Sequence, residues 1–304
     1  MSIPKLKMPK ARKLNYIFIY IQEFHNFNES TSNSSKKWIE RHKNDFFTRE
    51  ARVLRYKSRA AFKLLEINEK YKIFRPGNTV IDLVGFSPGS WTQVAVEKVG
   101  SKGRVLGVDI IPSQPPDGAS SMQGNFLSKA TQKAIIKYLS DPNRGCQNSI
   151  SFNSENGEEL SYLDLERRLE RNNYEDSNEE VADVILSDML EPLPQIDGFY
   201  KRSLSDPYYR LENVSGIGVK DHGASMDLCD SALLFCIDAL RVGGNFICKF
   251  YSGREDKLLF KKMEKVFQKV KREKPNASRS ESREAYFVGL KKRASISKKD
   301  IENM

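Results

Sequence analysis

Apolar positions along the chain recur with two periods, and the alternation between them outlines a fold. Residues 60–71 (AAFKLLEINEKY) set Phe62, Leu65 and Ile67 broadly toward one side at helical spacing. Arg75, Pro76, Gly77 and Asn78 make a turn. The β-branched run 79–83 (TVIDL) then predicts a strand that ends in a Gly/Pro loop. Helical spacing returns over residues 91–98, and 104–110 (RVLGVDI) predicts a second strand. Strand, loop, helix, strand is the opening of a Rossmann-like α/β fold, a doubly wound and mostly parallel sheet with helices on both faces.

From about residue 129 to 180 the pattern no longer continues cleanly. Residues 151–180 are polar and strongly acidic, which predicts an insertion at about 141–180, partly helical around 160–169. The next strand is 181–186 (VADVIL), closed by Ser187, Asp188 and Met189. Residues 227–240 predict a helix stopped by Gly243 and Gly244. Residues 245–250 (NFICKF) predict a buried strand. Leu259, Met263, Val266, Phe267 and Val270 are placed on one helix face, and 286–290 (YFVGL) forms a last strand. No internal repeat is present.

Composition narrows the partners. The 304 residues suit one large α/β domain with extensions, and a formal net charge of +10 favours a polyanion, nucleic acid before anionic membrane. A solvated basic surface is the plainer alternative. Lys5, Lys7, Lys10, Arg12 and Lys13 all precede the first acid, Glu23, which fits a mitochondrial presequence or a basic RNA-binding tail. The polar tract 28–35 (NESTSNSS) reads as a linker, so the expected division is an extension at 1–35, a folded unit at 36–293 and a polar tail at 294–304. Cations with interleaved aromatics over 36–59, together with Arg279 and Arg283, are expected along an RNA path. Cys146, Cys229, Cys236 and Cys248 form no C-x-x-C pair, so neither a zinc ribbon nor a disulfide framework is indicated. Reduced thiols fit the cytosol, nucleus or mitochondrial matrix. No apolar run is long enough to span a bilayer.

The loop 82–91 (DLVGFSPGSW) carries the first candidate chemistry. Asp82 closes a strand, Gly85, Pro88 and Gly89 let backbone approach a ligand, and Ser90 and Trp91 open the next helix. Asp109 ends the second strand about twenty residues beyond Gly89, where an acid accepts from the hydroxyls of an adenosine ribose. NAD and S-adenosylmethionine share that ribose, and a strand-end acid can instead cap a helix. Pro88 and the lack of G-x-G-x-x-G argue against a pyrophosphate cradle. Further along, Lys249 interrupts an apolar strand, Asp188 sits at a strand's carboxyl end, Lys63 lies among apolar neighbours, and Glu284 precedes the last strand. A solvated helix face would also explain Lys63, and a stem reaching to solvent would explain Lys249.

Five segments in order carry a resemblance: 58–64 (SRAAFKL), the SPGSW loop, 187–189, the CKF strand around Lys249, and 278–286 (SRSESREAY). Together they resemble the FtsJ/RrmJ family of RNA ribose 2′-O-methyltransferases over roughly residues 36–293, the acidic insertion apart. The resemblance implies a catalytic Lys-Asp-Lys-Glu set at Lys63, Asp188, Lys249 and Glu284, with no metal required. It implies S-adenosyl-L-methionine held by Asp82, Gly85, Pro88, Gly89, Ser90, Trp91, Asp109, Asn125 and Asp188. Two positions depart from the family pattern: Val84 adds a residue before Gly85, and Asn125 stands where Asp is often found. Segments 36–45, 191–199, 221–222 and 227–230 resemble the fungal mitochondrial branch of the family. That implies a uridine of mitochondrial large-subunit rRNA, in a large-subunit precursor in the matrix, as the substrate. A tRNA or nuclear pre-rRNA target, a non-catalytic ribosome-assembly factor and, last, a nicotinamide dehydrogenase are the competing readings.

Overall fold

The computed structural model describes residues 45–83, 89–111, 113–142, 144–146, 180–191, 193–194, 211–212, 215, 217–294 and 296–302. The expected presequence, most of the acidic insertion and loop residues 84–88 lie outside these. The chain divides into two units, Met1–Arg49 and Glu50–Met304. Helix α1 (Phe46–Val53) crosses that division, and the elements after it belong to the second unit.

The periodic segments become the elements of a layered α/β unit. Helix α2 (Ala60–Tyr71) leads into β1 (Thr79–Leu83), α3 (Ser90–Val99), β2 (Arg104–Asp109) and β3 (Ser120–Gln123). Helix α4 (Lys129–Ser140), β4 (Ala182–Ser187) and a two-residue pair, β5 (Leu193–Pro194) with β6 (Leu211–Glu212), follow. The chain then forms α5 (Gly218–Ala239), β7 (Leu240–Tyr251), α6 (Asp256–Val266), β8 (Phe267–Glu273), β9 (Glu284–Lys292) and α7 (Lys299–Glu302). One seven-stranded sheet has the order β3-β2-β1-β4-β7-β9-β8. The pairings among β1, β2, β3, β4 and β7 are parallel, and β9 runs antiparallel to both β7 and β8. Strand order reverses direction at β1, between β2 and β4, where open α/β sheets bind ligands beyond the carboxyl ends of their strands.

Two apolar layers cover the sheet. Val80, Val105, Val184, Leu186, Ile247, Tyr286 and Val288 pack against α2 and α3. Ile81, Leu106, Val108, Ile185, Phe246, Cys248, Phe250 and Phe287 pack against α4, α5 and α6. All five residues of β1 are buried, as expected of a parallel strand covered on both sides.

Three expectations need correction. Helix α5 starts at Gly218, well before residue 227, and Gly243 and Gly244 do not stop it. It ends at Ala239, within one residue of the expected 240, as Leu240 turns to extended backbone, and there Lys292 donates to the carbonyls of Ile237 (2.6 Å) and Leu240 (2.5 Å), satisfying groups a glycine cap would otherwise serve. The two glycines lie within β7, where pairing with β4 jumps from Ala182↔Leu240 to Val184↔Asn245. Phe267 and Val270 belong to edge strand β8, not to a helix face. Their three-residue spacing imitates a helical stripe, while the Phe267 ring lies across Gly289 of β9. Glu284 is the first residue of β9, so the last strand begins earlier than residue 286. In the polar C-terminal stretch, Ile301 is buried and Ile296 packs beside it against the core. All four cysteines are free, and no described helix is long and apolar enough to cross a membrane.

Candidate active site

Alternation along the strands dictates which side chains can meet. Asp82 shares the side of Val80, Asp109 that of Val105, and Asp188 follows Val184 and Leu186. Lys249 follows Ile247, and Glu284 shares the side of Tyr286 and Val288. All five ionisable residues therefore face the α2/α3 layer. All five also lie at one edge, where β1, β2, β4 and β7 end and β9 begins.

Register brings the catalytic candidates together. Ser187↔Cys248 in the parallel β4–β7 pair puts the next residues, Asp188 and Lys249, side by side. Lys249 Nζ lies 2.8 Å from Asp188 Oδ1 and donates to the Asp188 carbonyl at 2.7 Å. The carbonyl takes the well-aligned hydrogen bond, while the carboxylate holds the ammonium as an ion pair. Lys249 is 5% exposed, so the carbon stem does not carry the charge out to water. On the other side, Lys249↔Tyr286 and Tyr251↔Glu284 are opposed in the β7–β9 pair. Lys63 reaches in from α2 to within 2.7 Å of Glu284 Oε1. Burial alone would raise the Glu284 carboxyl, but the Lys63 ammonium, a hydrogen bond to it, nearby Ser278 and Lys249 hold it below its ordinary value.

Tyr286 was not singled out by sequence reasoning. Its ring lies 6.0 Å under Lys63 Nζ and 5.6 Å from the Trp91 ring, and its buried hydroxyl has no partner among the described residues. Burial first, then Asp188, Glu284 and Tyr251, push the phenol pKa well up, so the hydroxyl stays protonated. Its place two residues after Glu284 was the available signal. His222 was noticed only as part of a motif. Its Nδ1 bonds the Tyr251 carbonyl (2.6 Å) and its Nε2 accepts from the Glu255 amide (3.1 Å), which fixes a neutral ring with the proton on Nδ1 and pins the end of β7. Glu66 of α2 accepts from the amides of Asn276 (2.6 Å) and Ala277 (2.9 Å), anchoring the segment that leads to Glu284. Arg59 donates to the Ala277 carbonyl, and burial, followed by neighbouring Arg279, lowers its pKa.

The cofactor candidates occupy the β1/β2 half of the edge. Gly89 takes φ +91°, a left-handed value suited to glycine, and starts α3. Asp82 is fully buried. Thr92 donates to its Oδ2 at 2.6 Å, while Oδ1 has no partner among the described residues. Burial pushes its pKa up to about 7; the Thr92 hydrogen bond opposes this, and Asp188 and Asp109 add to it. A buried acceptor without a donor fits a ligand that brings an ammonium or hydroxyl. Asp109 is buried, and its Oδ1 accepts the Ile111 amide at 3.0 Å; the Gly124 amide donates to the Asp109 carbonyl at 2.9 Å and so brings exposed Asn125 close. Asn125 Oδ1 accepts from the Leu127 amide at 3.0 Å. Ser90 Oγ is 2.7 Å from Ser58 Oγ. Trp91 turns its ring into the core and donates to the Ala60 carbonyl at 3.0 Å, so at this site it offers backbone rather than indole. Gly85, Pro88 and Val84 lie outside the described residues.

Residues 56–292 match the profile of FtsJ-like methyltransferases. The chain is 39% identical over 294 residues to the mitochondrial rRNA methyltransferase 2 of Saccharomyces cerevisiae, covering 89% of this chain and 91% of that one. The protein of the same name from Schizosaccharomyces pombe is 35% identical, with coverages of 84% and 95%. The ribosomal RNA large subunit methyltransferase E of Nitrosospira multiformis is 34% identical, covering 86% of this chain and 97% of its own. Among solved structures, a Plasmodium falciparum protein described as a ribosomal RNA methyltransferase shares the fold. Its TM-score is 0.50 at 23% identity, over 78% of this chain and 98% of that one.

Proposed function

The chain belongs to the FtsJ-like methyltransferase family, and from that premise we propose that it methylates the ribose 2′-hydroxyl of a uridine in mitochondrial large-subunit rRNA. The methyl donor is S-adenosyl-L-methionine. One observation carries the reading: two lysine–carboxylate pairs, Lys63–Glu284 and Lys249–Asp188, meet on one side of one sheet edge, beside a buried acceptor that has no donor among the described residues. Buried Asp82 Oδ1, buried Asp109 and the opening of α3 fit the cationic and hydroxyl groups of that donor. When bound, it supplies an electrophilic methyl whose leaving group departs as a neutral thioether.

The chain's own residues have the harder task of presenting a weak nucleophile. Lys249 rests as the ammonium paired with Asp188; after giving up that proton to solvent it accepts the hydroxyl proton as the oxygen–methyl bond forms, which restores the ion pair. Lys63 stabilises negative charge developing on the oxygen, and Glu284 keeps Lys63 in place. Tyr286 stands between the two pairs, with a proton to donate. Residues 1–35 serve as presequence and linker, 36–293 as the catalytic unit, and the acidic insertion lies away from the RNA. The two yeast relatives, both mitochondrial rRNA methyltransferases by name, support a mitochondrial address and an rRNA substrate. The test is to map 2′-O-methyl groups in RNA from cells lacking the protein. Loss of one mitochondrial large-subunit rRNA uridine methylation is expected, whereas loss confined to tRNA or nuclear pre-rRNA would replace this substrate.

A further inference from the structure

Beyond the two lysine–carboxylate pairs, on the side away from Asp82 and Asp109, the sheet edge opens into a cavity of about 310 Å³. Ser252 borders it after β7, residues 272–274 at the end of β8, and residues 282–285 at the start of β9. They converge because β8 runs in the direction of β7 and β9 runs against both. Glu284 borders the cavity and the catalytic pairs alike, so the two share a wall.

The charges around it are unevenly satisfied. Glu273 is paired with Lys70 at 2.8 Å, and Glu284 with Lys63 at 2.7 Å. Arg272 is held by Asp256 (3.2 Å) and Ser252 Oγ (2.8 Å) and lies 5.4 Å over the Phe250 ring. Lys274 donates to the carbonyls of Ser280 (3.1 Å) and Ser282 (2.9 Å), which orient the ammonium without neutralising it. The Arg283 guanidinium occupies the place that a Cβ on Gly218 would take, so that glycine seats it. Among the described residues, no carboxylate pairs with Lys274 or Arg283. Ser252 Oγ accepts from Arg272, and Ser282 Oγ accepts from the Glu284 amide at 3.2 Å, leaving both hydroxyl protons to donate.

Two uncompensated cations and two hydroxyl donors around one small cavity match the oxygens of a phosphodiester. The cofactor's binding half lies across the catalytic pairs, so this cavity is a separate one. We propose that it is a phosphodiester subsite, seating the RNA backbone beside the nucleotide whose ribose is methylated. This rests on the RNA substrate proposed above and adds where that substrate is gripped.

The experiment pairs single neutral methylphosphonate linkages in a synthetic large-subunit rRNA hairpin with a Lys274→Ala, Arg283→Ala double variant of the full chain. Against wild type, one neutral linkage within a nucleotide or two of the target should weaken binding about tenfold, as for a lost charged hydrogen bond. The double variant should bind unmodified RNA more weakly, with a salt slope shallower by about 0.7 per lost contact, and should no longer respond to that linkage. Its KM for RNA should rise while kcat at saturating RNA and cofactor affinity hold. Lys274→Arg with Arg283→Lys, which keeps both charges, should restore most binding. Equal sensitivity to the neutral linkage in variant and wild type overturns the subsite, as does wild-type affinity in a folded double variant. A wild-type protein that ignores every linkage and salt overturns the RNA substrate itself.

Discussion

Asp82 and Glu284 stand at the same sheet edge and face the same two helices, yet their acidities move in opposite directions. Burial pushes Asp82 up to about 7, against the pull of Thr92. Burial acts on Glu284 too, but Lys63 at 2.7 Å outweighs it and holds the carboxyl below its ordinary value. The difference is whether the counter-charge comes from within the fold. In the β7/β9 half, lysine and carboxylate neutralise one another before any substrate arrives. In the β1/β2 half, buried Asp82 accepts from the Thr92 hydroxyl, and its Oδ1 has no partner among the described residues. One half is organised in advance by its own charges; the other leaves a buried acceptor to which a positively charged ligand would be complementary.

The sharpest way to break this contrast is at Lys249. Lys249→Ala should reduce methyl transfer by about 10²–10⁴-fold, the usual cost of losing a general base, while cofactor affinity is retained. Lys249→Arg should not rescue, because guanidinium cannot accept the proton. Single-turnover transfer of labelled methyl to an rRNA fragment, with folding checked by melting, measures both. Near-normal transfer by a folded arginine variant would reduce Lys249 to electrostatic positioning.

The next effect belongs to the other half. Asp109→Ala should weaken S-adenosylmethionine by roughly 1–3 kcal/mol and leave RNA affinity alone. Calorimetry that shows an unchanged dissociation constant would remove Asp109 from the cofactor site.

The smallest effects are those of pH on stability, and their signs should oppose each other. With Asp82 raised from 3.8 to about 7, the native state binds more protons than the unfolded chain between those values. Stability without cofactor should therefore fall as pH rises through that window, and Asp82→Asn should remove this contribution. Glu284 is depressed, so its contribution is present above its unfolded pKa and is lost as pH falls through the lowered folded one. Glu284→Gln should remove that acid-side loss. Melting temperatures of the two variants across pH should diverge from wild type in opposite windows; a shared window would refute the contrast. In the same spirit, cofactor affinity should rise as pH passes about 7, and this rise should flatten in Asp82→Asn.

Strands β1, β2, β4 and the second half of β7 were legible in the sequence because parallel strands covered on both sides leave uninterrupted apolar runs. Lys249 was legible for the same reason, since a lone charge inside such a run needs an explanation. Strand β8 was not, because an edge strand buries fewer positions and its stripe at Phe267 and Val270 looks helical. The start of α5 was not, because its first turns carry Gly218, Lys220, Asp221 and Gly223 in place of an apolar stripe. Tyr286 read as an ordinary core aromatic, and only the third dimension shows its hydroxyl without a partner among the described residues. The cavity beside Glu284 was equally hidden. Arg283 could be read as one cation among many, but its grouping with Lys274 and its seat on Gly218 depend on three segments meeting.

The reversed direction of β9 has an evolutionary consequence. Running against β7, it delivers its first residue to the reactive edge, and the connection before it, 274–283, forms a wall of the neighbouring cavity. The pairings Lys249↔Tyr286 and Tyr251↔Glu284 lie outside that connection, whose Ala277 and Ser278 are buried while Asn276, Arg279 and Ser280 are not. If the cavity seats RNA as proposed, substitutions at the uncovered positions of the connection would change which RNA is grasped without touching the paired strands.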